Sequence, residues 1–87
     1  MDRESIIAAI REEIVRIADT LDCDASDLQP DELIPASGLI DSAGLLDLIA
    51  WFEGKFGLRV APDEFNVDNL GSMNAMADFV LQRKAPR

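Results

Sequence analysis

The sequence predicts an all-α domain, a four-helix bundle with a long first loop and a short third helix. Apolar residues make up 48% of the 87, and they recur every three or four positions rather than in alternation or in one block. Residues that cap helices bracket the periodic segments. The length leaves room for a single modest core, so residues 1–87 are read as one domain with its core over about 4–83.

Ile7, Ile10, Ile14, Ile17, Ala18 and Leu21 share one side of a helical wheel, and Arg11, Glu12, Glu13, Arg16 and Asp19 share the other. This predicts an amphipathic first helix over about residues 4–20. From Asp22 to Asp41 runs a long connection that contains Pro30, Pro35 and Gly38, but also Leu28, Leu33, Ile34, Leu39 and Ile40. A loop of about 20 residues is unusual in a small domain, and its apolar residues predict that it packs over the bundle. The run from Asp22 to Asp27 has some of the acids of a calcium loop. However, Asp27 stands where such a loop needs glycine and Leu33 where it needs its closing glutamate, so no metal site is read there.

The second helix is predicted from Asp41-Ser42, either of which can cap its free amides, to about Phe56, with Gly57 as the stop. Leu45, Leu48, Ile49, Phe52 and Phe56 fall on one face and are candidates for the core. Ala43, Leu46, Asp47, Ala50 and Gly54 fall on the other, a small and partly apolar surface that another protein could approach closely. Pro62 to Leu70 reads as a short helical turn anchored by Phe65, Val67 and Leu70. Ser72 is placed to cap a final helix with Met73, Met76, Ala77 and Val80 inward, ending near Gln82 before Pro86 and a basic tail.

Composition excludes several function classes. Eight basic and 17 acidic side chains give a net charge of −9, which repels a nucleic-acid backbone or an anionic membrane and attracts a basic protein surface. There is no histidine, which removes histidine-based triads, histidine metal ligation and the commonest general base together. No apolar run approaches the ~20 residues of a membrane span, and Met1-Asp2-Arg3-Glu4 lacks the order of a signal peptide. A cytoplasmic, non-enzymatic protein that acts as a monomer is expected. Cys23 is the only cysteine and lies between Asp22 and Asp24, where negative charge disfavours the thiolate. It reads as an ordinary residue.

Chemistry concentrates in Gly38-Leu39-Ile40-Asp41-Ser42-Ala43-Gly44-Leu45-Leu46-Asp47-Leu48. A serine at a helix start is exposed, and the first-turn amides with the positive end of the dipole can hold a phosphodiester beside it. No base stands ready in the sequence to activate Ser42, so another enzyme would have to modify it. Ser42 is a handle for chemistry done elsewhere.

In these residues, and in the order of its predicted elements along nearly the whole chain, the sequence resembles the acyl carrier and peptidyl carrier proteins. Their signature is an Asp-Ser-apolar triplet that opens the second of four helices. The resemblance implies an acyl-carrier-like four-helix bundle with 4′-phosphopantetheine attached covalently to Ser42. It further implies that Asp41 helps a phosphopantetheinyl transferase engage, and that the chain carries an acyl or aminoacyl thioester from an adenylating ligase to a downstream acyl transferase or synthase. Ala43 stands where most acyl carriers have Leu or Met, and Gly44 where fatty-acid carriers usually have an acid. The pattern Gly-Leu-Ile-Asp-Ser-x-Gly, with Phe56-Gly57 and Phe65, is more similar to D-alanyl carrier proteins and other freestanding carriers. Asp41, Leu46, Asp47 and Ala50 are the candidate partner contacts. The alternative reading is an interaction module that uses the Ala43, Leu46 and Ala50 face and leaves Ser42 as an unmodified helix cap.

Overall fold

A computed structural model of the chain describes residues 2–84. Pro86 and the basic tail lie outside the described residues. The chain forms α1 (Arg3–Thr20), the single turn α2 (Ile34–Ser37), α3 (Ser42–Phe56), a 3₁₀ turn at Pro62–Glu64, the single turn α4 (Val67–Leu70) and α5 (Met73–Lys84), with no strand among the described residues. The predicted second helix is α3, and α1, α3, α4 and α5 make the bundle, α1 packing on α3 and α5 while α4 packs on α5.

Each long helix begins where a side chain can replace a missing backbone partner. Asp2 accepts the Ser5 amide at 2.8 Å to open α1, and Ser72 Oγ accepts the Ala75 amide at 3.1 Å to open α5. At the other end of α1, Asp22 takes the left-handed conformation at φ 59°. Its amide donates to Asp19 O at 3.1 Å and that of Cys23 to Ala18 O at 2.8 Å, which closes the helix with two backbone bonds. Gly57, at φ 62°, ends α3 as expected.

The core is continuous. Ile6, Ile10, Ile14 and Ile17 of α1 meet Leu48, Ile49, Phe52 and Phe56 of α3 and Met73, Met76, Ala77 and Val80 of α5. Ile6 is the buried residue at the start of the α1 stripe, and Ile7 is half-buried beside it. The Phe52 ring lies 5.4 Å from that of Phe56 and 6.2 Å from that of Phe79, within the range of favourable aromatic pairs.

The long connection is packed, as its composition predicts. Ala25, Leu28, Ile34 and Ile40 are buried, whereas Leu33 is exposed. Three bonds fasten it. Arg11 on α1 donates to Leu28 O at 2.6 Å, the Asn74 amide donates to Pro30 O at 3.0 Å, and the Ile34 amide donates to Gly71 O at 2.7 Å. The α2 turn carries Pro35 at its start and ends on Gly38 at φ 73°, a backbone geometry that glycine adopts without penalty. The chain thus reaches Asp41 along a path set by α1, α4 and α5.

The segment 62–70 differs from expectation. It forms two separate turns, and only Leu70 anchors into the core. Phe65 and Val67 are 43% and 51% exposed.

Candidate functional site

Ser42 is the first residue of α3, and Asp41 is its N-cap. The Asp41 carboxylate accepts the Gly44 amide at 2.8 Å, and its carbonyl accepts the Leu45 amide at 2.9 Å. The amides of Ser42 and Ala43 have no partner among the described residues, and neither does the Ser42 hydroxyl. Ser42 is exposed and borders a depression of about 250 Å³ whose other walls are Ile34, Ile40, Asp41 and Leu45.

The other four serines are engaged within the chain. Ser26 Oγ donates to Asp24 at 2.6 Å, Ser37 Oγ donates to Ile34 O at 2.6 Å, and Ser72 Oγ caps α5. Ser5 hydrogen-bonds the Asp2 carboxylate, which holds that carboxyl below its ordinary range. An exposed hydroxyl next to unpaired first-turn amides suits a phosphate-linked arm, because the amides and the dipole end favour the anion.

The sequence-predicted partner face is solvent-facing throughout. Ala43, Leu46, Asp47, Ala50 and Gly54 are all exposed, Leu46 at 60%. Asp41 and Ser42, at the start of the same helix, are exposed as well. Arg16 of α1 pairs with Glu13, and its pKa is raised mainly by that hydrogen bond, with a smaller contribution from the charge of Asp47. Leu45, expected in the core, is half-buried and lines the edge of the Ser42 depression.

Leu45 also lines a second, apolar groove of about 130 Å³ with Ile49, Phe65, Val67 and Leu70. Sequence reasoning missed this groove because it read Phe65 and Val67 as core anchors. The available signal was the asparagine Asn66 between them, which caps α4 by accepting the Asn69 amide at 2.9 Å and so breaks the segment in two.

Charge is segregated along the chain. Between Arg16 and Lys55 stand nine carboxylates and no lysine or arginine, so this stretch carries the whole net charge of −9. It includes the long connection and nearly all of α3. Of the cations outside it, Arg3 pairs with Asp78, and Arg83 pairs with Glu64 and lies 4.6 Å over the Phe79 ring. Among the described residues no group of side chains is arranged to hold a metal ion, and no described helix is long and apolar enough to cross a membrane.

The family model described as phosphopantetheine attachment site matches residues 6–80. D-alanyl carrier proteins of Streptococcus gordonii and Streptococcus thermophilus are 32% identical over 74 residues, covering 84% of this chain and 92% of each relative. The D-alanyl carrier protein of Streptococcus sanguinis matches to the same extent. No solved structure matches the chain significantly. The chain belongs to the phosphopantetheine-attachment-site family, and it is a non-enzymatic carrier protein whose cofactor is covalently attached 4′-phosphopantetheine.

Proposed function

We propose that Ser42 bears the arm and that the chain takes an acyl or aminoacyl group from a separate adenylating ligase to a downstream acyl transferase or synthase. The observation that carries the assignment is the state of the serines. Ser42 is at the N1 position of α3 with an exposed hydroxyl, while Ser5, Ser26, Ser37 and Ser72 each hydrogen-bond within the chain.

The attached group supplies a thiol that holds the cargo as a thioester. The chain supplies presentation. Asp41 caps α3 and keeps its carboxylate on the Gly44 amide, leaving the amides of Ser42 and Ala43 to face the phosphodiester. Leu46 and Ala50 offer a partner an apolar contact beside Asp47 and Asp41, and the surrounding carboxylates draw a basic surface toward it. The partners proposed for this face are the phosphopantetheinyl transferase, the ligase and the acceptor enzyme, met by a monomer in the cytoplasm. The curated relatives, named as D-alanyl carriers, support an aminoacyl cargo within the acyl class.

Incubation with coenzyme A and a broad-specificity phosphopantetheinyl transferase, followed by intact-mass measurement, tests the assignment. The unmutated chain is expected to gain one arm and Ser42→Ala none. An arm still added to a folded Ser42→Ala protein would overturn it.

A further inference from the structure

We infer that Gly44 is a positioning residue for Ser42: its missing Cβ lets Ile40 and Ile17 close on the first turn of α3, which fixes where the hydroxyl is presented to the modifying enzyme. The inference rests on the reading of Ser42 as the attachment site.

Gly44 is buried, although Ser42, Ala43, Leu46 and Asp47 around it in sequence are exposed. A Cβ built at this position would lie 2.4 Å from Ile40 Cγ2, 3.0 Å from Ile17 Cγ2 and 3.3 Å from Asp41 Oδ1. The first of these distances is far inside carbon–carbon contact, which is optimal at roughly 3.5–4.0 Å. The three atoms come from different parts of the fold: α1, the end of the long connection, and the cap of α3. Ile40 is itself buried, and its Cγ2 is bonded directly to Cβ, so it moves only by a χ1 rotation that swings the whole buried side chain.

Where the buried Ile40 side chain keeps its rotamer, a side chain at position 44 must shift the backbone of Ile40 or lift the first turn of α3 from α1. Either movement carries Asp41 and Ser42 with it. Gly54, in the same helix, has nothing within 4 Å of its Cβ position. Gly54→Ala is thus a control that raises helix propensity without a clash.

The test measures kcat and KM of arm attachment, with thermal melts, for the unmutated chain, Gly44→Ala, Gly54→Ala and Gly44→Ala/Ile40→Leu. Ile40→Leu moves the branch from Cβ to Cγ and removes the clashing methyl. Misplacement of a reacting group by about 1 Å can cost on the order of 100-fold. Gly44→Ala is expected to lower kcat about tenfold or more with a smaller change in KM, because Leu46, Asp47 and Ala50 stay in place while Asp41 moves with Ser42. The double variant should recover most of the rate, and Gly54→Ala, as a control for stability, should melt no lower than the unmutated chain.

Attachment to Gly44→Ala at the original kcat, or a change confined to KM, would overturn the inference. If Gly44→Ala does not fold, the double variant decides: folding with a recovered rate supports the inference, and slow attachment or failure to fold overturns it. An unmutated chain that takes up no arm at Ser42 would instead overturn the attachment reading, and this inference with it. That failure is distinguished because it appears without any substitution.

Discussion

Glu53 Oε2 accepts the Val60 amide at 2.9 Å, so this α3 carboxylate is tied to the segment that leaves the helix. Asp41 is likewise occupied, as the cap of α3, whereas Asp47 is exposed. The three acids along α3 therefore have different duties. Glu53→Ala is expected to destabilise the fold by about 1–3 kcal/mol through the orphaned amide. Asp47→Asn, at an exposed position, should leave stability nearly unchanged and weaken the salt dependence of partner association. Chemical denaturation alongside stopped-flow binding to a cognate ligase checks both, and a Glu53 variant of full stability would contradict the assigned tie.

Association with any ligase or transferase should be steered by charge, since the whole net charge of −9 lies between Arg16 and Lys55. Raising ionic strength from about 0.01 M to 1 M shortens the screening length from about 30 Å to about 3 Å. Association rates are expected to fall roughly tenfold or more over that range, with dissociation less affected. Rates indifferent to salt would contradict steering.

Stability and partner binding should separate on α3. Phe52 is fully buried and packs its ring against Phe56 and Phe79, so Phe52→Ala is expected to cost about 3–5 kcal/mol. Leu46→Glu and Ala50→Glu change exposed positions and should cost no more than about 0.5 kcal/mol, yet place an unpaired charge inside a complex. Thermal melts compared with ligase loading check this. A Leu46→Glu protein that melts as early as Phe52→Ala would place Leu46 in the core.

Acid should weaken the fold through specific carboxylates. Glu64 is held below its ordinary 4.5 first by its hydrogen bond from Arg83 and then by that from the Ala61 amide. A lowered folded-state value means the stabilisation is complete above the ordinary value and is lost as pH falls through the folded one. Asp2, held down first by Ser5, and Asp24, held down first by Ser26, act in the same direction below 3.8. Melting temperature should therefore fall as pH drops below about 4.5, and Glu64→Gln should make the fall shallower. An unchanged profile would remove Glu64 from the account.

The long elements were legible in the sequence because three signals coincide there. At α3, for instance, the Asp41 cap, the three- and four-residue recurrence of Leu48, Ile49, Phe52 and Phe56, and the Gly57 stop define the same helix. The place of Ser42 at the start of α3 was legible for the same reason. The single turns were not: one turn of helix has no periodicity to detect, so Phe65 and Val67 read as core residues when they line a groove. The α2 turn did carry a signal, Pro35 near its start and Gly38 at its end, which reads equally well as loop punctuation. Gly44 was legible as a motif residue only. Its closeness to Ile17 and Ile40 depends on how α1 and the long connection pack, a relationship between distant residues that local pattern cannot express.

The central claim is that the arm sits on Ser42, and locating the modification on the peptide tests it most directly. Tryptic cleavage after Arg16 and Lys55 releases a peptide that contains Ser26, Ser37 and Ser42 together, so fragmentation of that peptide after enzymatic modification distinguishes them in one spectrum. The account predicts the phosphopantetheine mass on the fragment containing Ser42 and on neither of the others. Its appearance on Ser26, on Ser37 or on a peptide outside this stretch would contradict the assignment.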